Sequence, residues 1–324
     1  MSSLNTDIKS QINRLVIGTR GSPLALWQAN MVKSALLQSL RLPEAQVEIK
    51  ILKTSGDAIK GHLSEFGGKG LFTRELEEAL LDGRIDLAVH SMKDVPTLGH
   101  KDLHIAAILP REDPRDALIA RAASSLEDLP QGAVIGTASI RRRAQLASLR
   151  PDVEFTLLRG NVGTRLAKLE AGSCDATFLA CAGLKRLGQE ELITQTISPK
   201  VMLPAPAQGA VGIEVRADNA AAKAAAEALD DFDSRIAITA ERAFLRALDG
   251  SCRTPIAALA ELKDDALTFR GQVLSKDGQM SFDSSGQMPL KARTADSIAA
   301  ADSFGFELGQ ALREEINGRI VWDD

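Results

Sequence analysis

The sequence predicts an α/β protein that ends in an α+β tail, and three observations carry that prediction. Three times between Val134 and Gly188 an apolar strand runs into a small-residue turn and then an arginine-bearing helix start. The runs begin at Val134, Phe155 and Ala176 and end at Arg143, Arg165 and Arg186. Strand, turn and helix in that order gather ligand-binding loops at the carboxyl ends of parallel strands. The segment before Val134 shows the same alternation of strand and helix. After about Ser234 the pattern changes to a helix, two alternating strands and a long closing helix, a unit of independent size.

In chain order, Arg14-Leu-Val-Ile-Gly opens as a short strand, and Arg20-Gly-Ser-Pro turns into an apolar-periodic helix from about Leu24 to Leu40. Val47 to Lys53 alternates as a second strand. Gly67-Gly-Lys-Gly70 leads to a helix from about Thr73 to Leu81, and Ile85 to Val89 is a third strand. His90-Ser-Met-Lys-Asp-Val-Pro96 ends it, because Pro96 forbids continuation as a helix or central strand. The proline-containing, charged Pro110 to Asp116 reads as a crossover into the second unit, and Leu203-Pro-Ala-Pro-Ala207 as the way out. An alanine-rich helix follows from about Asn219 to Leu229, and Asp230 to Ser234 marks a further boundary. A helix from Ser234 to Leu248 ends at Gly250, Ser251 to Pro255 forms a loop, and strands at Ile256 to Leu262 and Ala266 to Val273 precede a helix over Ala295 to Asn317.

A chain of 324 residues with 44% hydrophobic and 25% charged residues can bury a substantial core and is not disordered. Its net charge of -4 argues against a nucleic-acid binder, which is basic as a rule; here positive charge is local within an acidic whole. A small anionic ligand fits that balance. No apolar stretch approaches the roughly 20 residues of a membrane span, and Met1 to Asn13 is polar, so a cytoplasmic protein without membrane partners is expected. Three cysteines without CxxC spacing point to neither a disulfide framework nor a zinc site. His100 and His104 follow a turn into a strand, so no metal site is expected from them.

Candidate chemistry rests on cations, one carboxylate and one thiol. Arg141 to Arg143, just after the N-cap position Ser139, oppose the helix dipole, and an anion docking there would reverse that penalty. Taken singly each arginine could also be a solvated helix face. Gly67-Gly-Lys-Gly70 lacks the spacing of a nucleotide-binding loop, which leaves Lys69 as another cation facing the ligand. Asp94, between Lys93 and a rigid proline turn, could stabilise developing positive charge or shuttle a proton. It could equally be a salt-bridged turn aspartate. Cys174 and Cys181 bracket an apolar strand as core residues. Cys252 lies in a loop beside Arg253, where cations favour thiolate chemistry and attachment of a group; an inert loop cysteine is the plainer reading.

Together these segments resemble the porphobilinogen deaminase (hydroxymethylbilane synthase) family. The resemblance is carried by Thr19-Arg-Gly-Ser-Pro-Leu-Ala-Leu-Trp-Gln28, Gly67-Gly-Lys-Gly-Leu-Phe72, Ala88-Val-His-Ser-Met-Lys-Asp-Val-Pro96 and Arg111-Glu-Asp-Pro-Arg-Asp116. It continues through Leu158-Arg-Gly-Asn-Val-Gly-Thr-Arg165, Ala182-Gly-Leu-Lys-Arg-Leu-Gly188, Gln208-Gly-Ala210 and the cysteine loop. It implies three domains: two lobes like type II periplasmic binding proteins (1–109 with 204–228, and 110–203) and a smaller α+β domain (229–324). It further implies a dipyrromethane cofactor on Cys252 by a thioether, and stepwise addition of four porphobilinogens with loss of ammonia. Hydrolysis then releases 1-hydroxymethylbilane for haem and other tetrapyrroles. Asp94 matches the catalytic aspartate. The positions matching cofactor contacts are Lys93, Asp94, Ser91, Thr137, Ser139, Arg141, Arg142, Arg165, Gly183 and Gln208. Those matching substrate contacts are Arg20, Ser22, Gln28, Lys69, Phe72, Arg159 and Arg186, and a monomer is the family expectation.

Four departures stand out. Glu65 occupies a place where many relatives have lysine, and Ala138 and Ser251 replace a frequent serine and glycine. Pro206-Ala207 stands where a more flexible pair is common, which stiffens the exit from the second lobe. Two readings from other classes compete: a non-catalytic two-lobed carboxylate-binding protein and a ligand-sensing regulator. Neither uses the cysteine loop, and no helix-turn-helix supports the second.

Overall fold

The computed structural model describes residues 12–54, 73–248, 254–290 and 292–320. The first elements are β1 (Leu15–Arg20), α1 (Pro23–Leu40), β2 (Val47–Leu52), α2 (Arg74–Leu81), β3 (Leu87–Ser91) and β4 (Leu103–Ile108). Next come β5 (Asp116–Ala120), β6 (Val134–Gly136), α3 (Ile140–Leu149), β7 (Glu154–Thr156), α4 (Val162–Glu170), β8 (Ala176–Ala180), α5 (Cys181–Arg186) and β9 (Gln195–Thr196). The chain closes with β10 (Val211–Arg216), α6 (Ala220–Glu227), α7 (Phe232–Ala247), β11 (Ile256–Lys263), β12 (Ala266–Leu274), β13 (Ser281–Pro289) and α8 (Ala295–Ile316). The described residues fall into two compact units, one within 1–111 and 210–235, the other within 112–209 and 236–324.

The first unit is built on a five-stranded sheet in the order β2-β1-β3-β10-β4. β1 runs parallel to β2 and β3, whereas β10 runs antiparallel to β3 and β4. The helix after β1 starts where Ser22 accepts a hydrogen bond from the Ala25 N–H and Pro23 presets the first turn. It buries Ala29, Val32, Leu36 and Leu40, a spacing of three and four that puts one face on the sheet against Ile17, Leu87 and Ile213. β3 begins at Leu87, two residues later than expected, because the Ile85 N–H is spent on the Ala79 carbonyl and Asp86 pairs with the backbone of Val16.

The second unit carries a sheet of the same plan, β7-β6-β8-β5-β9, parallel at β6–β7 and β6–β8 and antiparallel where β5 meets β8 and β9. β5 is therefore the counterpart of β10. Both strands escape a sequence reading that looks for strand–helix alternation, since each enters from a crossover and runs against its neighbours. Its cores gather Leu118, Ile135, Leu146 and Phe178 on one side and Ala117, Leu158, Leu179 and Leu184 on the other. The C-terminal α+β domain is an antiparallel sheet, β11-β12-β13, with α8 packed on β13. Phe269 of β12 centres its core, 5.0 Å from the Phe244 ring and 6.2 Å from the Phe304 ring. β13 is an addition to the expected pair of strands; only one of its residues, Phe282, is both apolar and buried.

Candidate functional site

In the first unit the candidate residues cluster past the carboxyl ends of β1 and β3. Met92, Lys93 and Asp94 form a single 3-10 turn directly after β3. Met92 is the buried member and ties the turn down: its N–H donates to the Ala210 carbonyl at 3.0 Å and its carbonyl accepts from Val95 at 3.3 Å. Its side chain lies over Gly212 of β10, where a Cβ would come within 2.1 Å of the Met92 sulfur. Only a residue without a side chain lets the turn sit this low. Lys93 and Asp94 then face outward, exposed. Beside them Gln28, only 2% exposed, donates from its amide to the Ser91 hydroxyl at 2.9 Å. Ser22 is engaged as the helix cap, and Arg20 ends β1 half-buried. Beneath the turn, His90 Nε2 and Glu214 Oε2 pair at 3.1 Å with both side chains buried.

The second unit gathers its cations around a residue the sequence reading passed over. Asp116, the first residue of β5, is 0% exposed. Its carboxylate accepts from Arg141 Nη1 at 2.7 Å, from Arg142 Nε and Nη2 at 3.0 and 2.7 Å, and from the Gln208 amide at 3.0 Å. Burial alone would raise this carboxyl; the Arg141 and Arg142 charges overcome that and hold it far below the carboxylate range. Burial in turn pushes the Arg141 guanidinium below its ordinary value, against the pull of Asp116. The anion that offsets the dipole penalty of these two arginines is thus the chain's own Asp116. Two guanidinium groups against one carboxylate leave one formal positive charge, and Arg141 Nε is buried with no hydrogen-bond partner.

The remaining predicted positions fall on the same sheet end. Ser139 caps α3 by accepting from the Arg142 N–H at 3.4 Å, and Thr137 Oγ1 accepts from the Ser139 N–H at 3.1 Å. Arg159, in the loop after β7, also has a buried, unpartnered Nε. Arg165 donates to the Gly160 carbonyl at 2.8 Å and Arg186 to the Gly209 carbonyl at 2.7 Å. Gly183 is buried within α5, and Gln208 also donates to the Pro114 carbonyl at 2.7 Å. Gly209 has φ 89° and no room for a Cβ, which would meet the Glu112 carbonyl at 2.3 Å. Lys69, Phe72, Glu65 and Cys252 lie outside the described residues. Asp116 could have been found from one signal: an ionisable residue heading a four-residue apolar run has to be paired if that run is a buried strand.

Two guanidinium groups on one carboxylate leave the cluster cationic, so the second unit fits an acidic group such as a pyrrole bearing acetate and propionate.

The model of the porphobilinogen deaminase dipyromethane cofactor binding domain matches residues 15–224, and that of the porphobilinogen deaminase C-terminal domain matches residues 235–317. The chain is 48% identical to the porphobilinogen deaminase of Paracoccus denitrificans over 98% of each chain. It is 46% identical to that of Nitrobacter hamburgensis over 97% of this chain and 95% of the other. Among solved structures, the periplasmic VFT2 domain of BvgS from Bordetella pertussis aligns with 70% of this chain and 91% of its own, at 14% identity and a TM-score of 0.39.

Proposed function

This chain belongs to the porphobilinogen deaminase family, and we propose how its own residues carry that activity. The enzyme joins four porphobilinogen molecules head to tail, releasing an ammonia at each addition, and then frees 1-hydroxymethylbilane by hydrolysis. A covalently held dipyrromethane supplies the terminal pyrrole carbon on which the first ring is added.

Asp94 is the catalytic carboxylate. Loss of ammonia from porphobilinogen generates a cationic azafulvene, and coupling generates a pyrrolium that must shed a proton. An exposed carboxylate on a rigid turn can face both charges as they develop, and positioned charge of this kind is the largest single contribution in many enzymes. Lys93 beside it, with Arg20, Ser22, Gln28 and Ser91, supplies cation and hydroxyl or amide contacts for the acidic pyrrole side chains. Lys69 and Phe72 join them as substrate contacts. Thr137, Ser139, Arg141, Arg142, Arg165 and Gly183 of the second lobe, together with Gln208, hold the cofactor, Arg159 and Arg186 take substrate carboxylates, and Cys252 of the third domain is the attachment point. We assign the lobes to 1–109 with 204–228 and to 110–203, and the third domain to 229–324, in a cytoplasmic monomer.

The observation that carries the assignment is the surplus positive charge of the Arg141–Arg142–Asp116 cluster. Intact mass of the purified protein beside Cys252→Ser tests the whole reading. The expected result is a mass excess equal to a dipyrromethane that is absent from the variant. An unmodified chain that stays unmodified after addition of porphobilinogen would overturn it.

A further inference from the structure

We propose that Glu241, on α7, is a positioning residue for the arginine pair of the second lobe, acting through the turn at Ala205–Gln208. The inference rests on the reading of Arg141 and Arg142 as carboxylate-binding groups. It starts from a conflict between sequence and backbone. The Gln208 N–H donates to the Ala205 carbonyl at 3.0 Å, closing a turn with Pro206 and Ala207 at its centre. Ala207 has φ 62°. Proline second and a left-handed residue third is the pattern of a type II turn, whose third position calls for glycine or asparagine. An alanine there is strained.

The strained residue is held from outside. Ala207 is buried, and its N–H donates to Glu241 Oε2 at 2.6 Å. The other carboxylate oxygen, Oε1, accepts from the Ala260 N–H of β11 at 2.8 Å. Glu241 is itself fully buried, so a polar carboxyl group has been taken out of water to bridge the exit of the second lobe and the sheet of the third domain. What that bridge fixes is the next residue. Gln208 sends its amide to both Pro114 and Asp116, and Asp116 sets the guanidinium planes of Arg141 and Arg142. A turn free to relax at Ala207 would swing Gln208 off Asp116 and leave the two arginines aimed by one partner fewer. The third domain thereby aligns the groups that grip the cofactor it carries.

Glu241→Gln tests this, because a carboxamide keeps one acceptor oxygen and turns a donor toward the second backbone N–H. The companion variant adds Ala207→Gly, since glycine adopts the left-handed turn without the carboxylate. The measurement is the porphobilinogen concentration that half-saturates the mass gain of the unprimed protein, with KM and kcat of the primed enzyme alongside. Glu241→Gln is expected to raise the half-saturating concentration and KM by about tenfold with a smaller change in kcat, the scale of one lost buried hydrogen bond. Glycine at 207 is expected to return most of it. Folding of the double variant where Glu241→Gln alone does not fold would support the same coupling. Priming by Glu241→Gln at wild-type concentrations, an equal defect with alanine or glycine at 207, or failure of both variants to fold would overturn it. Failure of the wild-type chain to gain mass would overturn the reading of the arginines, and this inference with it.

Discussion

The two lobes use one sheet plan and treat an aspartate in opposite ways. In the first, Asp94 stands exposed on a turn that is anchored through Met92 and the backbone of Ala210. In the second, Asp116 is sealed under two arginines and a glutamine. An exposed carboxylate is available to a reacting cation, whereas a buried one has already been neutralised and can only align what neutralised it. The acid proposed for chemistry and the acid that aligns two arginines thus differ in burial, on equivalent frameworks.

Removing the buried acid should give the largest effect. Asp116→Asn leaves two buried guanidinium groups without a counter-charge, and loss of one partner of a buried pair costs about 3–5 kcal/mol. Denaturant titration should show that loss, together with a protein that no longer takes up the cofactor. A variant as stable as wild type would break the comparison. Asp94→Ala should do the reverse: stability unchanged within about 0.5 kcal/mol, as for an exposed position, and kcat lower by about 10²-fold or more. Near-normal turnover of the primed variant would sink its catalytic role.

A third change probes how the exposed acid is aimed. Gly212→Ala would force the Met92 side chain to move, since the new Cβ has 2.1 Å to share with its sulfur. Overpacking of this kind costs about 1–3 kcal/mol, and a shift of the turn carrying Asp94 should lower kcat by about tenfold, given that 1 Å misplacements can cost more. Steady-state rates that fall no further than stability does would show that the turn tolerates its floor being raised.

How much of this was legible depended on whether a residue acts through its own type or through a distant partner. The strand–turn–helix runs, the Ser139 cap and the turn at Pro96 declare themselves locally, and the structure has each of them. The strands β5 and β10 do not, because their identity comes from antiparallel neighbours far along the chain. Among site residues, arginines repeated at strand ends could be read as anion binders, but not that two of them close on Asp116, 25 and 26 residues upstream. Pro206-Ala207 was visible as a stiff pair, yet its left-handed backbone and the Glu241 carboxylate that holds it belong to tertiary structure.

Acid titration sharpens the contrast between the lobes with the smallest expected effect. In the first lobe His104 on β4 sits with a buried, unpartnered Nε2, and burial, with Lys223 adding to it, pulls its pKa below the ordinary value. A base whose folded pKa is lowered favours the neutral form, so its contribution is present above the unfolded value of about 6.5 and is lost as pH falls through it. Glu227 and Glu214 oppose the shift and Arg235 reinforces it. Asp116 in the second lobe also has a lowered pKa, but its unfolded reference is near 3.9, so its contribution persists until the pH drops below about 4. Between pH 6.5 and 4, amide exchange should therefore quicken in β4 and β10 while β5 and β8 stay protected. Simultaneous loss of protection in both sheets over that window would mean that the two lobes share one acid transition, and that the difference in how they bury charge does not reach their stability.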